Sequence, residues 1–359
     1  MELQQAGRMR AGERRRDVVE GRLPGAVPRR SAIRSSRLTM AGAAVMAAAS
    51  VLVALPAYAQ APYPSKPIRM IVPFPAGGGY DFLGRLYAAK MAEAWGQPVL
   101  VENRAGANGN IGSEVAAKAP PDGYTLLMGG IGPQALSVGL YPALPYDPLK
   151  AFEPISLVAG QPNLLVVHPS MPVKTLKDFI AFAKARPGQI SYASNGSGSG
   201  QHIAAEQLKL MTGIDIVHVP FKGAAPALTA ILSGEVAVAF NVILSPLPYV
   251  KSGRLRALAT ASSRRASLAP DVPTMAELGY PIDIDTWYAL YAPAGTPKEV
   301  VGRLAAEAVR IGGLADVRER AGGQGIEMIG AGPDKLLAHN RAEIARWTKV
   351  IRQAKINID

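Results

Sequence analysis

Cysteine is absent from this 359-residue chain, which excludes disulfides, zinc–thiolate centres and cysteine nucleophiles. Histidine is scarce: His168, His202, His218 and His339 are the whole set, and none stands at metal-ligand spacing from another. No G-K-[ST] triplet occurs, so a phosphate-cradling P-loop is absent. No serine lies in a G-x-S-x-G elbow, the strained turn that exposes a hydrolase nucleophile. There is no repeat of 20 to 50 residues, no heptad run and no low-complexity stretch. Charged residues make up only 18% of the chain, and they form no Lys/Arg stripe of the kind nucleic acid requires, so nucleic-acid binding is excluded. What remains is a chain that is 48% hydrophobic, enough to bury one large core or two ordinary ones.

The N-terminus reads as an export signal. Arg29, Arg30, Arg34 and Arg37 precede the uncharged run Leu38–Pro56, and Ala57-Tyr58-Ala59 forms an A-x-A site, placing cleavage after Ala59 and a signal peptide over 1–59. The run is nearly long enough to span a bilayer, but its alanine content and terminal proline favour cleavage over anchoring. This leader carries ten arginines and four acids, half of the formal charge of +12. The remaining 300 residues are mildly basic, which suits an anionic ligand.

Beyond the leader, strand and helix patterns alternate. Ile68–Phe74 is a buried-strand run. Asp81–Trp95 repeats apolar residues at Phe82, Leu83, Leu86, Tyr87 and Met91, one face of a helix that Gly96 stops. Strands Val99–Val101 and Tyr124–Met128 flank a short helix at Ile111–Lys118. A second series begins near Gln161-Pro162-Asn163, with strands at Leu164–Val167, Ile190–Ala193, Ile216–Val219, Val236–Phe240 and Leu255–Thr260 between helices. Thr175 with Asp178, and Thr274 with Glu277, have capping-box spacing and predict helix starts. Trp287–Tyr291 reads as a strand, and Pro333–Ala354 as the last strong helix. These strands are too many for one comfortable sheet, and the chain has two natural crossings, near 162 and 288. The expected fold is α/β with two lobes, mostly parallel sheets flanked by helices: 60–163 with 289–359 as a discontinuous first lobe, and 164–288 as the second. A ligand cleft would then lie between the lobes, at the C-terminal ends of the strands.

Two glycine-rich segments stand at such ends, Pro73–Asp81 (PFPAGGGYD) and Ser194–His202 (SNGSGSGQH), each between a strand and a helix. Such turns expose backbone N–H groups at the positive end of the helix dipole and favour anions. Ser194, Ser197 and Ser199 add hydroxyl donors to the amides of Gly196, Gly198 and Gly200. Charge-assisted hydrogen bonds contribute about 1.5–3 kcal/mol each, so four or five suffice for micromolar capture of a carboxylate without an arginine. The same composition also suits a plain flexible turn. Gly196-x-Gly198-x-Gly200 is not a dinucleotide fingerprint, because its spacing differs from G-x-G-x-x-G and the next strand ends Val219-Pro220-Phe221 with no acid. Asp81 reads as the N-cap of the first long helix, bonding the N–H of Leu83 or Gly84, and can pair with Arg85 four residues on. Trp287 and Phe221 are candidates for aromatic cleft walls or for lobe packing. Ser197 or Ser199 with His202 would be the elements of an exported serine hydrolase, although His202 in a first helical turn more simply packs or points at the cleft edge. No paired carboxylates and no cofactor or metal site emerge.

At these residues the chain resembles a known family. Pro73-Phe74-Pro75-Ala76-Gly77-Gly78-Gly79-Tyr80-Asp81, Val101-Glu102-Asn103-Arg104, Gly109-Asn110-Ile111-Gly112, Pro121-Asp122-Gly123-Tyr124, Leu144-Pro145-Tyr146-Asp147, His218-Val219-Pro220-Phe221-Lys222-Gly223 and Ala292-Pro293-Ala294-Gly295-Thr296-Pro297 follow the order of the Bug family. These are periplasmic solute-binding receptors of tripartite tricarboxylate transporters, and the resemblance covers the chain from Pro64 onward. It implies a type II-like periplasmic binding protein, not an enzyme, that closes on a small organic acid and delivers it to membrane permease subunits. Carried over by position, Ala76, Gly77, Gly78, Asp81, Ser194, Gly198 and Ser199 are the implied ligand contacts, with Phe221 and Lys222 at the mouth of a third loop. Family ligands include dicarboxylates, tricarboxylates, amino acids and aromatic acids. A receptor without its own permease, feeding a signalling partner, fits the same residues. Two departures stand out. The turn Gly129-Gly130-Ile131-Gly132-Pro133-Gln134 carries fewer side-chain donors than its relatives, and Phe221 replaces a commoner tyrosine. The first implies a less polar or bulkier ligand tail than a simple dicarboxylate, the second removes one hydroxyl from the cleft, and together they leave the particular ligand, citrate included, unassigned by the resemblance.

Overall fold

The computed structural model describes residues 63–356 and 358; the expected signal peptide over 1–59 and its expected cleavage after Ala59 lie outside the described residues. Along the chain stand β1 (Ile68–Val72), α1 (Gly79–Trp95), β2 (Val99–Asn103), α2 (Asn110–Ala117), β3 (Thr125–Gly130), β4 (Phe152–Gln161), β5 (Asn163–Val167), α3 (Leu176–Lys184), β6 (Ser191–Ser194), α4 (Gly200–Thr212), β7 (Val217–Pro220), α5 (Ala224–Leu232), β8 (Val238–Val242), β9 (Arg256–Thr260), β10 (Thr286–Pro293), α6 (Lys298–Gly313), α7 (Ala315–Gly323), β11 (Glu327–Ala331) and α8 (Pro333–Gln353).

The strands form two sheets, in orders β11-β4-β10-β3-β1-β2 and β7-β6-β8-β5-β9. Both are mixed. Pairs made by strand–helix–strand units, β1 with β2 and β3, and β6 with β7 and β8, are parallel. The strands at the chain crossings pair antiparallel: β10 with β3 and β4, β4 with β11, and β5 with β8 and β9. The chain leaves the first sheet at Gln161, enters the second at Asn163, and returns at Thr286, slightly before the position read from the sequence. Here β4 and β10 lie side by side, Gln161 opposite Thr286.

Both faces of each sheet are covered, which is why the strands read as unbroken apolar runs. Ile71 and Leu127 point to one face of the first sheet and Met70, Leu126 and Met128 to the other; Leu165 and Val167 oppose Leu164 and Val166 in the second. α8 packs Leu336, Trp347 and Ile351 into the core, all essentially unexposed.

Capping explains the helix starts. Thr175 and Asp178 form the full reciprocal box before α3. Thr274 and Glu277 exchange the same two hydrogen bonds, 2.8 and 3.0 Å, yet the segment is only a turn and not the expected helix. Gly279, at φ +90°, and Pro281 follow too closely for a second helical turn.

Candidate functional site

The first glycine-rich turn joins β1 to α1. Gly77 has φ +87°, the left-handed region that a side chain disfavours, and Gly78 is the extended N-cap. Gly79 has no room for a side chain: a Cβ there would lie 2.3 Å from the Tyr288 hydroxyl. Asp81 is not the N-cap. It sits inside the first turn of α1, where its carboxylate accepts hydrogen bonds from Gly77 N–H, Arg85 Nε and Asn103 Nδ2, each at 3.0 Å. Burial alone would raise its pKa, but the bonds from Arg85, Gly77 and Asn103 outweigh that and hold it below the ordinary carboxylate value. The expected pairing with Arg85 is therefore present. Asp81 faces inward and ties the turn to β2 instead of facing the cleft.

The second turn joins β6 to α4. Ser199 is the N-cap, its hydroxyl accepting the N–H of His202 at 3.3 Å. Gly196 and Gly198 take φ +130° and +75°. Both backbone polar groups of Gly198 are engaged: its N–H donates to His202 Nδ1 at 3.1 Å, and its carbonyl accepts from Asn108 Nδ2 at 2.9 Å. Ser194 is fully buried, its hydroxyl 2.7 Å from His218 Nε2. The His202 and His218 rings stack at 3.9 Å, 6° from parallel, with Tyr192 beyond His218. Burial pushes both imidazoles down to about 4, helped at His202 by Lys209 and at His218 by His202. This is a packed, neutral pair. The hydrolase reading needs a serine hydroxyl from Ser197 or Ser199 on the His202 ring, but its Nδ1 takes a backbone N–H and Ser199 caps the helix.

The third turn, Phe221–Gly223, precedes α5, with Gly223 at φ +113°. Phe221 packs against the core below this turn. Trp287 is core as well, its indole donating to Glu343 at 3.1 Å.

All three turns meet at one cavity of about 380 Å³ between the sheets. Of the residues expected from sequence, Ala76, Gly77, Gly78, Ser199 and Lys222 line it; Asp81, Ser194, Gly198 and Phe221 do not. The N-termini of α1, α4 and α5 open onto it through Gly79, Gly200 and Ala224. Among the described residues, Lys222 is the one charged side chain on its wall. Apolar surface comes from Phe74, Ile131, Leu244 and Ile326. Ile131 belongs to the turn that the sequence marked as poor in donors; the nearby Gln134 is turned inward, accepting Gly130 N–H at 2.8 Å and donating to Ser113.

Among the residues missed by sequence reasoning, Gln161 and Gln201 line the cavity near the crossings, with Asn163 bonded behind Gln201. Gln161 accepts the Tyr288 hydroxyl at 2.6 Å and donates to Gln324 O at 2.9 Å. Gln201 donates to Asn163 Oδ1 at 2.6 Å, and Asn163 donates to Ile284 O at 2.6 Å. Their one signal was position: Gln161 and Asn163 flank the proline at the recognised crossing. Among the described residues, no group of three His, Asp or Glu side chains could hold a metal ion.

Residues 83–356 match the model of the tripartite tricarboxylate transporter family receptor, TctC. The chain belongs to this family. Among TctC receptors it is similar to protein BugT of Bordetella pertussis, 41% identical over 293 residues that make up 81% of this chain and 90% of BugT. A solved Rhodopseudomonas palustris structure described as Rpa4515 with adipate is 36% identical, with a TM-score of 0.77, covering 82% of this chain and 99% of that one. MatC of the same organism, solved with bound malate, is 34% identical with a TM-score of 0.74, covering 80% and 100%. The TctC chain thus has the two-lobed fold of periplasmic solute-binding receptors.

Proposed function

We propose that this chain is an exported, non-enzymatic receptor that captures a small organic carboxylate between its lobes and presents it to the membrane subunits of a tripartite tricarboxylate transporter. The observation that supports this reading is the convergence of helix N-termini from both sheets on one cavity whose wall, among the described residues, bears no acid. Each N-terminus contributes unpaired N–H groups and about half a positive charge. An anion bridging α1 on one sheet with α4 and α5 on the other is bound better when the lobes are together, which is the differential affinity closure needs.

Ala76, Gly78 and Ser199 are the proposed carboxylate contacts, with Lys222 at the mouth. Gly77 shapes the first turn, since its N–H is held by Asp81. The apolar wall at Phe74, Ile131, Leu244 and Ile326 suits an aliphatic or aromatic body between or beside carboxylates. Relatives solved with adipate and malate support a linear dicarboxylate as the first class to test. The lobes that move are proposed as 60–163 with 289–359 against 164–288, in the periplasm, after removal of 1–59.

A thermal-shift screen of carboxylic acids against their uncharged amides tests the reading. A cognate acid at 100 times its Kd stabilises by about 2.7 kcal/mol and its amide leaves the transition in place. Equal shifts from adipate and adipamide, or none from any acid in the panel, refute it.

A further inference from the structure

A further residue on the cavity wall, like Gln161 and Gln201, spends its side chain on the protein itself. Asn108, in the turn between β2 and α2 on the first sheet, donates from Nδ2 to the carbonyl of Gly198, in the turn between β6 and α4 on the second, at 2.9 Å. The bond joins residues 90 apart in sequence, one on each side of the cleft. The surfaces around it fit closely. A Cβ on Gly198 would stand 2.8 Å from Leu140 Cδ1 of the first half, and a Cβ on Gly132 would stand 2.9 Å from Asn108 Oδ1.

The backbone under Asn108 is held in an unfavourable shape. Ala107 and Asn108 both take positive φ, +46° and +53°, and two consecutive left-handed non-glycine residues persist only where the surroundings over-determine them. Asparagine tolerates this region best among residues with a side chain, and here the conformation directs its amide across the cleft. On the far side Gly198 is anchored by its N–H to His202 Nδ1 in α4. Gly198 is therefore held through its N–H by His202 of its own lobe and through its carbonyl by Asn108 of the other.

We infer that Asn108 is a closure clasp, a positioning residue that holds the second glycine-rich turn against the first lobe in the closed receptor. The inference rests on the reading of the cleft as a closing receptor site. The bond can form only with the lobes together, so it stabilises the closed state selectively and slows ligand escape without touching the ligand. This accounts for Gly198, which sequence reasoning placed among the ligand contacts: its carbonyl and N–H are both committed.

Asn108→Gly isolates the effect, because glycine suits the left-handed backbone while losing the donor. The absence of native cysteine makes site-specific labelling simple. Cysteines at Lys118 and Lys184, exposed positions on opposite halves, carry spin labels whose separation is read by pulsed electron paramagnetic resonance. In the ligand-free chain the closed-to-open ratio should fall about 3- to 10-fold in Asn108→Gly, the worth of one neutral hydrogen bond, with the melting temperature retained. Gly198→Ala, which drives a methyl toward Leu140, should shift the same distribution toward the open state. With adipate as the probe, the dissociation rate should rise by the same factor and the association rate stay constant. An unchanged distance distribution in both variants overturns the clasp. Failure of the wild type to bind any carboxylate defeats the proposed function instead and leaves the ligand-free distance measurement as the judge of the clasp.

Discussion

The stacked pair His202–His218 makes the protein sensitive to mild acid in a defined window. His202 is 5% exposed and is pushed down to about 4, against an ordinary value of 6.5. In the folded chain it is neutral, and its Nδ1 lone pair is occupied by the Gly198 N–H. The unfolded chain takes up the proton first as pH falls, so this contribution to stability is complete above about pH 6.5 and is lost progressively toward pH 4. At 1.36 kcal/mol per unit, the loss from His202 alone reaches about 1.4 kcal/mol at pH 5.5 and about 3 kcal/mol at pH 4. His218, stacked on His202 and also pushed down to about 4, acts in the same direction, with Glu206 beside it opposing the shift. Carboxylates held low by partners, Asp81, Glu102 and Asp178 among them, lose their contribution only nearer their own ordinary values, around 4. Burial, with Asp283 beside it, lifts the Asp285 carboxyl to about 7, which adds stability as pH falls over the same interval, so it is the difference between wild type and a histidine variant that isolates the imidazole. Urea unfolding at pH 7, 6 and 5 in wild type and His202→Gln is the assay. Wild type should lose more stability than the variant over this interval, by roughly 2 kcal/mol at pH 5. Parallel losses in the two proteins would refute the argument that a buried neutral imidazole supports the second turn.

Two further outcomes follow from packing. Gly112→Ala places a Cβ 2.7 Å from Arg104 O and 2.8 Å from Pro73 Cα; backbone on both sides cannot yield cheaply, and calorimetry should show a loss of about 1–3 kcal/mol. Trp347→Ala removes a fully buried indole that donates to Glu343 at 2.9 Å, and should cost about 3–5 kcal/mol in denaturant unfolding, leaving the far-UV spectrum of the folded fraction unchanged.

Much of this architecture is legible in local pattern. β1, β3 and β5 are apolar runs bounded by turn residues, and α1 shows its period plainly. β4 is not legible, because Pro154 interrupts it; in the fold that proline sits at a register shift opposite β10, where a missing N–H costs little. β11 carries Gly330 and an exposed Ile329 at a sheet edge, so it lacks the apolar run that marks a buried strand. Strand direction was legible only where helices connect neighbours, and the antiparallel pairs follow from crossings that local pattern does not encode. At the site, glycine marked both turns correctly. It did not reveal which donors were already taken, because the partners of Ser194, Gly198 and Asp81 come from His218, Asn108 and Asn103 on other elements. Gln161 and Thr286 reach the cavity only because β4 and β10 lie side by side where the chain changes sheets.

That side-by-side passage shapes the motion itself. With Gln161 facing Thr286, and Asn163 bridging to Ile284, the two connections form a narrow ribbon in place of two separate swivels. A ribbon bends readily about the axis lying across it and resists twisting and sideways sliding. The jaws should therefore travel along a single arc, with least displacement beside Gln161 and most at the rim near Lys222. A longer guest would be accommodated by stopping the swing early at the rim, leaving the grip at the pivot unaltered.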